Sequence, residues 1–82
     1  MANSENPNNV LELQQKIGKG IRSLRESKGI KNYEKFAIQN GFSRSHYWNI
    51  EQGEVNLTLK TLARILNSLD TKIEDFFGEL DS

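Results

Sequence analysis

Phe36-Ala37-Ile38-Gln39-Asn40-Gly41-Phe42-Ser43-Arg44-Ser45-His46-Tyr47-Trp48-Asn49-Ile50-Glu51 is the stretch that decides the fold. Two short helical patterns meet inside it at one glycine. Upstream, Tyr33, Phe36 and Ala37 stand three and four apart and so share a helix face. Downstream, Tyr47, Ile50 and Glu51 repeat that spacing. Gly41 between them can take the left-handed conformation that closes a helix. Ser43 then suits an N-cap, because its hydroxyl can accept from free amides of the next turn. Phe42 before the cap and Tyr47 after it are placed as a hydrophobic staple. Helices joined by so tight a turn cross steeply, leaving the second one on a convex surface.

That arrangement is a helix-turn-helix, whose second helix can enter the major groove of DNA. The chain resembles the phage repressor and Cro-like (XRE) family of bacterial DNA-binding transcriptional regulators. The resemblance is carried by Ala37, Gly41, Phe42, Tyr47, Ile50 and Glu51-Gln52-Gly53. Ile21-Arg22-Ser23-Leu24-Arg25 precedes that frame and residues 59–76 follow it, so the match spans about residues 17–77. It implies an all-α, five-helix, lambda-repressor-like DNA-binding domain.

Composition sets the limits around this reading. Eighty-two residues make one small domain with a modest core. The absence of cysteine excludes disulfides and thiolate chemistry and suits the cytoplasm. No apolar run approaches the ~18 residues of a membrane helix, and the polar opening residues make no signal peptide. Net charge is zero but unevenly spread. Residues 16–44 carry eight basic and two acidic side chains, whereas residues 45–82 carry three basic and seven acidic ones. A basic half facing phosphates is the arrangement a DNA-binding module needs.

Taken in order, residues 1–9 read as a flexible tail ahead of a domain over 10–82. Asn9 is placed to cap a first helix with Val10, Leu13, Ile17, Ile21 and Leu24 on its apolar face, ending near Gly29. Gly18 and Gly20 inside that helix call for a close neighbour. Asn32 is the expected cap of the second helix. The third runs from about Arg44 to Gln52 and stops at Gly53. Thr58 caps the fourth, which is expected to bury Leu59, Leu62, Ile65, Leu66 and Leu69. Asp70 stands where the family resemblance implies a glycine, and Asp tolerates a left-handed turn better than most residues; Thr71-Lys72-Ile73-Glu74 reads as a capping box for a short fifth helix.

With Tyr47 and Ile50 inward, the outer face of the third helix carries Arg44, Ser45, Trp48, Asn49 and Gln52. Arginine can fork onto guanine O6 and N7, and asparagine can pair with adenine N6 and N7. The resemblance implies base contacts from Arg44, Ser45 and Asn49; the alternative for Arg44 is a phosphate contact. Trp48 can press on a thymine methyl or the sugar-phosphate wall, or pack against the second helix or a partner chain. Asn32, Tyr33, Ser43 and Lys60 complete the expected DNA face, using helix N-termini as phosphate anchors. The resemblance also implies an ion pair between Arg25 and Glu51. His46, the only histidine, is read as a surface residue, because one histidine without cysteine makes no usual zinc site. No cofactor, metal or small-molecule effector is expected.

Phe76 and Phe77 are adjacent, hence about 100° apart on a helix, so burying one tends to expose the other. Ile73, Phe76, Phe77 and Leu80 are therefore the expected homodimer surface, as in the family's two-fold dimers on palindromic operators. A narrower resemblance to restriction-modification controller proteins rests on residues 56–60 and Phe76-Phe77. Tyr33, Trp48 and Glu54 replace usual DNA-facing residues, which keeps open an interaction module or antitoxin-like partner. No nucleophile-base pair or phosphate-cradling loop points to an enzyme.

Overall fold

The structure, a computed structural model, describes residues 7–80, with side chains described from residue 9. It consists of five helices: α1 (Pro7–Ser27), α2 (Tyr33–Gln39), α3 (Arg44–Gln52), α4 (Leu59–Ser68) and α5 (Ile73–Leu80). The described residues contain no strand, and the all-α expectation holds.

Local chemistry places most boundaries. Asn32 Oδ1 accepts from the Lys35 amide at 3.0 Å, Ser43 Oγ from the His46 amide at 3.1 Å, and Thr58 Oγ1 from the Thr61 amide at 3.1 Å. Each satisfies one amide that its helix leaves free. Gly41 sits at φ 79°. There the Phe42 amide donates to Ala37 O and the Gly41 amide to Ile38 O, the paired closure that a left-handed residue permits. The same pair of bonds closes three other helix ends, at Gly29, Gly53 and Asp70.

Several expectations need correcting. The first helix begins at Pro7, so Asn9 lies within it and is not its cap. A proline in the first turn forfeits no helical bond, because that amide has no partner there anyway. The part of the expected tail before Pro7 lies outside the described residues. Val10 and Leu13 are 51% and 53% exposed, so the buried stripe of α1 starts later, with half-buried Ile17 and then Ile21. Gly53, at the end of α3, meets α1 at Gln15, which leaves the preceding turns beyond the reach of α3. Leu59 is 75% exposed; Leu57, just ahead of the cap, packs on the core instead. The expected capping box of α5 is not formed: the helix begins at Ile73, so Thr71 lies ahead of its cap position, and Thr71 Oγ1 donates back to Leu69 O at 3.0 Å.

The core gathers Ile21 of α1, Phe36 and Ala37 of α2, Tyr47 and Ile50 of α3, and Leu62, Ile65 and Leu66 of α4. Phe42, Leu69 and Phe76 of α5 complete it. Tyr47 is its centre, with ring centroids of Phe36 and Phe42 at 5.4 and 6.0 Å. The Arg64 guanidinium covers Phe42 from outside at 4.5 Å, a cation–π contact. Phe76 is buried and meets half-buried Phe77 edge-on at 5.4 Å.

Gly18 explains why α1 can lie so close to α3. A Cβ there would stand 2.5 Å from Ile50 O and 2.6 Å from Glu51 O, both backbone atoms that cannot step aside. We expect Gly18→Ala to destabilise the domain by about 1–3 kcal/mol, despite the better helix propensity of alanine. Urea denaturation of the two proteins measures this; equal midpoints would mean that α1 and α3 separate freely.

Candidate nucleic-acid interface

The third helix presents two faces. Tyr47, Ile50 and Glu51 are buried, while Arg44, Ser45, His46 and Trp48 are exposed and Asn49 and Gln52 are half-buried. Four expected contact residues, Arg44, Ser45, Asn49 and Trp48, thus lie on the helix facing away from the core. Ser43 caps this helix and Asn32 caps α2, so both side chains already hold backbone amides, while the Ser43 hydroxyl hydrogen remains able to donate. Lys60 is exposed in the first turn of α4.

Two of these side chains are held by α2. The Tyr33 and Trp48 rings lie 4.9 Å apart at 41°, so Trp48 packs against the second helix while remaining 42% exposed. Arg44 Nη1 donates to Glu34 Oε2 at 3.0 Å. The sequence reading did not single out Glu34. Its partner lies ten residues on, across the turn, where no helical periodicity links the two.

Beneath this surface, Arg25 and Glu51 form a two-pronged ion pair. Nε donates to Oε2 at 2.7 Å and Nη2 to Oε1 at 3.0 Å. Nη1 turns the other way, to Ile30 O at 2.7 Å and Lys31 O at 3.1 Å. The residues are 3% and 4% exposed. The hydrogen bonds to Glu51 raise the Arg25 pKa above its ordinary value, against the opposing effect of burial. One guanidinium therefore ties α1, the loop before α2, and α3 together. Tyr47 lies alongside, its hydroxyl buried without a hydrogen-bond partner, and burial pushes its pKa well above the usual phenol range.

Lys16, Lys19 and Lys28 line a groove of about 730 Å³ between α1 and α5, together with Asp70, Asp75 and Glu79. Arg22 pairs with Glu26 at 3.3 Å. Three of the basic residues of 16–44 thus share a groove with three acidic residues from the C-terminal half of the chain. Among the described residues, no cluster of His, Cys, Asp or Glu could hold a metal ion. No described helix is long and apolar enough to cross a membrane.

No protein-family model matches the chain. It is 31% identical to the restriction-modification controller protein C.Esp1396I, whose crystal structure as a point mutant superposes with a TM-score of 0.75, covering 83% of this chain and 89% of that one. The control protein C.MunI from Mycoplasma sp is 29% identical over 66 residues, 80% of this chain and 89% of that protein. The plasmid copy control protein CopR from Streptococcus agalactiae is 43% identical over 44 residues, 54% of this chain and 48% of that protein. The clp gene regulator ClgR from C. glutamicum shares the fold, with a TM-score of 0.76 at 23% identity, covering 84% and 87% of the two chains.

The depth of the Arg25–Glu51 pair sets its mutational signature. Removing one partner strands the other charge in the interior, so Glu51→Ala should cost about 3–5 kcal/mol of stability. Replacing both, as in Arg25→Met with Glu51→Leu, should recover most of that loss. Urea midpoints for the wild type, the single and the double variant check this. A single variant as stable as the wild type would show that the pair is open to water.

Proposed function

Given that the chain belongs to the XRE-like helix-turn-helix family of DNA-binding transcriptional regulators, we propose that it binds a palindromic operator as a homodimer, with α3 in the major groove. The observation that carries this reading is the division of α3. Its inner face is anchored by Tyr47, Ile50 and the Arg25–Glu51 pair, while Arg44, Ser45, Trp48 and Asn49 project outward. A helix held on one side and polar on the other is what groove readout requires.

In this reading Arg44 forks onto a guanine and Asn49 pairs with an adenine. Ser45 and Gln52 flank them, and Trp48, steadied by Tyr33, lies against a thymine methyl or the sugar wall. Asn32, Ser43 and Lys60 meet phosphates beside the N-termini of α2, α3 and α4. The dimer surface is the outer side of α5. Ile73 is exposed and Phe77 and Leu80 are half-buried, so these three remain available to a partner. Phe76, included in the expected surface, is 4% exposed and belongs to the core.

An interaction module is the rival reading. The observation favouring it is that Arg44 and Trp48 are already engaged by Glu34 and Tyr33. Titration of binding to random duplex DNA with salt separates the two. A regulator binds with affinity falling steeply as salt rises, and a module that has lost DNA binding does not bind.

On a site selected from a random oligonucleotide pool, we expect Arg44→Ala and Asn49→Ala each to cost about 1–3 kcal/mol and to relax preference at one base pair. Equal weakening on every sequence would assign both residues to phosphate. For assembly, Phe77→Asp should turn a dimer into a folded monomer in sedimentation at tens of micromolar protein, with helical circular dichroism retained. Wild type and variant both running as folded monomers would exclude the α5 interface.

A further inference from the structure

We propose that Glu34 determines specificity: its carboxylate keeps the Arg44 guanidinium off the phosphate backbone, so that a guanine edge becomes its favoured partner. The proposal rests on α3 being the groove-entering helix. It adds a residue outside the reading face that decides what one residue on that face can contact.

The geometry is a contact across the turn. Glu34 stands in the first turn of α2 and Arg44 opens α3, with 3.0 Å between Oε2 and Nη1. Both side chains are about half exposed, at 46% and 61%, so the pair is cheap to rearrange and cannot itself stabilise the fold by much. Its effect lies in what Arg44 meets on docking. A phosphate brought to that guanidinium also comes close to the carboxylate, and two negative groups a few ångströms apart repel. A guanine edge is neutral and offers two acceptors. Arginine has five N–H donors in a planar fork, so one can stay on Glu34 while two others reach O6 and N7. The carboxylate therefore penalises the sequence-blind contact and leaves the sequence-reading one nearly unaffected.

The neighbouring contact keeps this arrangement in place. Tyr33, adjacent to Glu34, packs on Trp48 at 4.9 Å. Trp48 lies one helical turn from Arg44 on the same face of α3. Consecutive residues of α2 thus hold two consecutive turns of the reading face, and the carboxylate stays with the guanidinium as α3 enters a groove. The plain alternative is that Glu34 merely favours the α2 N-terminus through the helix dipole.

Glu34→Gln keeps the shape and removes the charge. Affinities of wild type and variant are measured on the pool-selected site and on random duplex DNA over a range of salt. We expect binding to random DNA to rise about three- to tenfold. The slope of log affinity against log salt should steepen by roughly 0.9, one additional phosphate. The preference for the selected site over random DNA should fall correspondingly. The comparison is repeated with Arg44→Ala in both proteins, where the effect of Glu34→Gln should disappear. An unchanged slope and preference would reduce Glu34 to a helix-end charge and overturn the proposal. So would an effect that survives Arg44→Ala, since that would be simple repulsion between Glu34 and DNA. Wild type failing to prefer any site would instead defeat the DNA-reading assignment, which is distinguishable because it needs no variant.

Discussion

Arg25 and Glu51 have left water together, and each is tolerable in the interior only because of the other. Satisfying them constrains much else. The guanidinium must reach Glu51 with two donors and the Ile30 and Lys31 carbonyls with a third, so α1, the loop before α2, and α3 can meet in only one way. Gly18 belongs to the same arrangement. It lets α1 approach the Ile50 and Glu51 carbonyls closely, near the side chain that Arg25 holds. The fixed tilt of α3 follows from this contact, and with it the direction in which Arg44, Trp48 and Asn49 point.

The outer face of α3, the reading face in the proposed function, is supported from two sides by different physics. From within, support is buried, two-pronged and ionic. From the flank, α2 contributes a ring contact and an exposed ion pair, each weak and easily remade. A DNA-binding helix gains from both. The first prevents it from rocking, and the second holds the outer side chains loosely enough to take up added contacts when a duplex arrives.

How much of this the sequence disclosed depended on the range of the interaction. Asn32, Ser43 and Thr58 were identifiable as caps, and Gly41, Gly53 and Asp70 as stops, because each acts on backbone within about one turn. The close approach at Gly18 could also be inferred, since two glycines inside a helix need a reason. Burial at the ends of elements was not legible. Val10, Leu13 and Leu59 fit a helical stripe by spacing, but spacing says nothing about where the neighbouring element stops. Glu34 was hidden because its partner lies across a turn, and the acid–base groove between α1 and α5 because its walls are far apart in sequence. The Arg25–Glu51 contact is also distant in sequence. Only the family resemblance suggested it, and its depth was not anticipated.

The closure of four helix ends by their own backbone has a kinetic consequence. At Gly29, Gly41, Gly53 and Asp70 the chain stops a helix with bonds between residues three and five apart, without borrowing a partner from elsewhere. Such punctuation can be written before the rest of the molecule has assembled. A small helical chain of this kind has low contact order and falls in the class that folds in microseconds to milliseconds. The tight turn between α2 and α3 is then available early as a local hairpin of helices. The joining of Arg25 to Glu51 is of the opposite kind: it brings distant segments together and strips both ions of water, so no local turn can complete it.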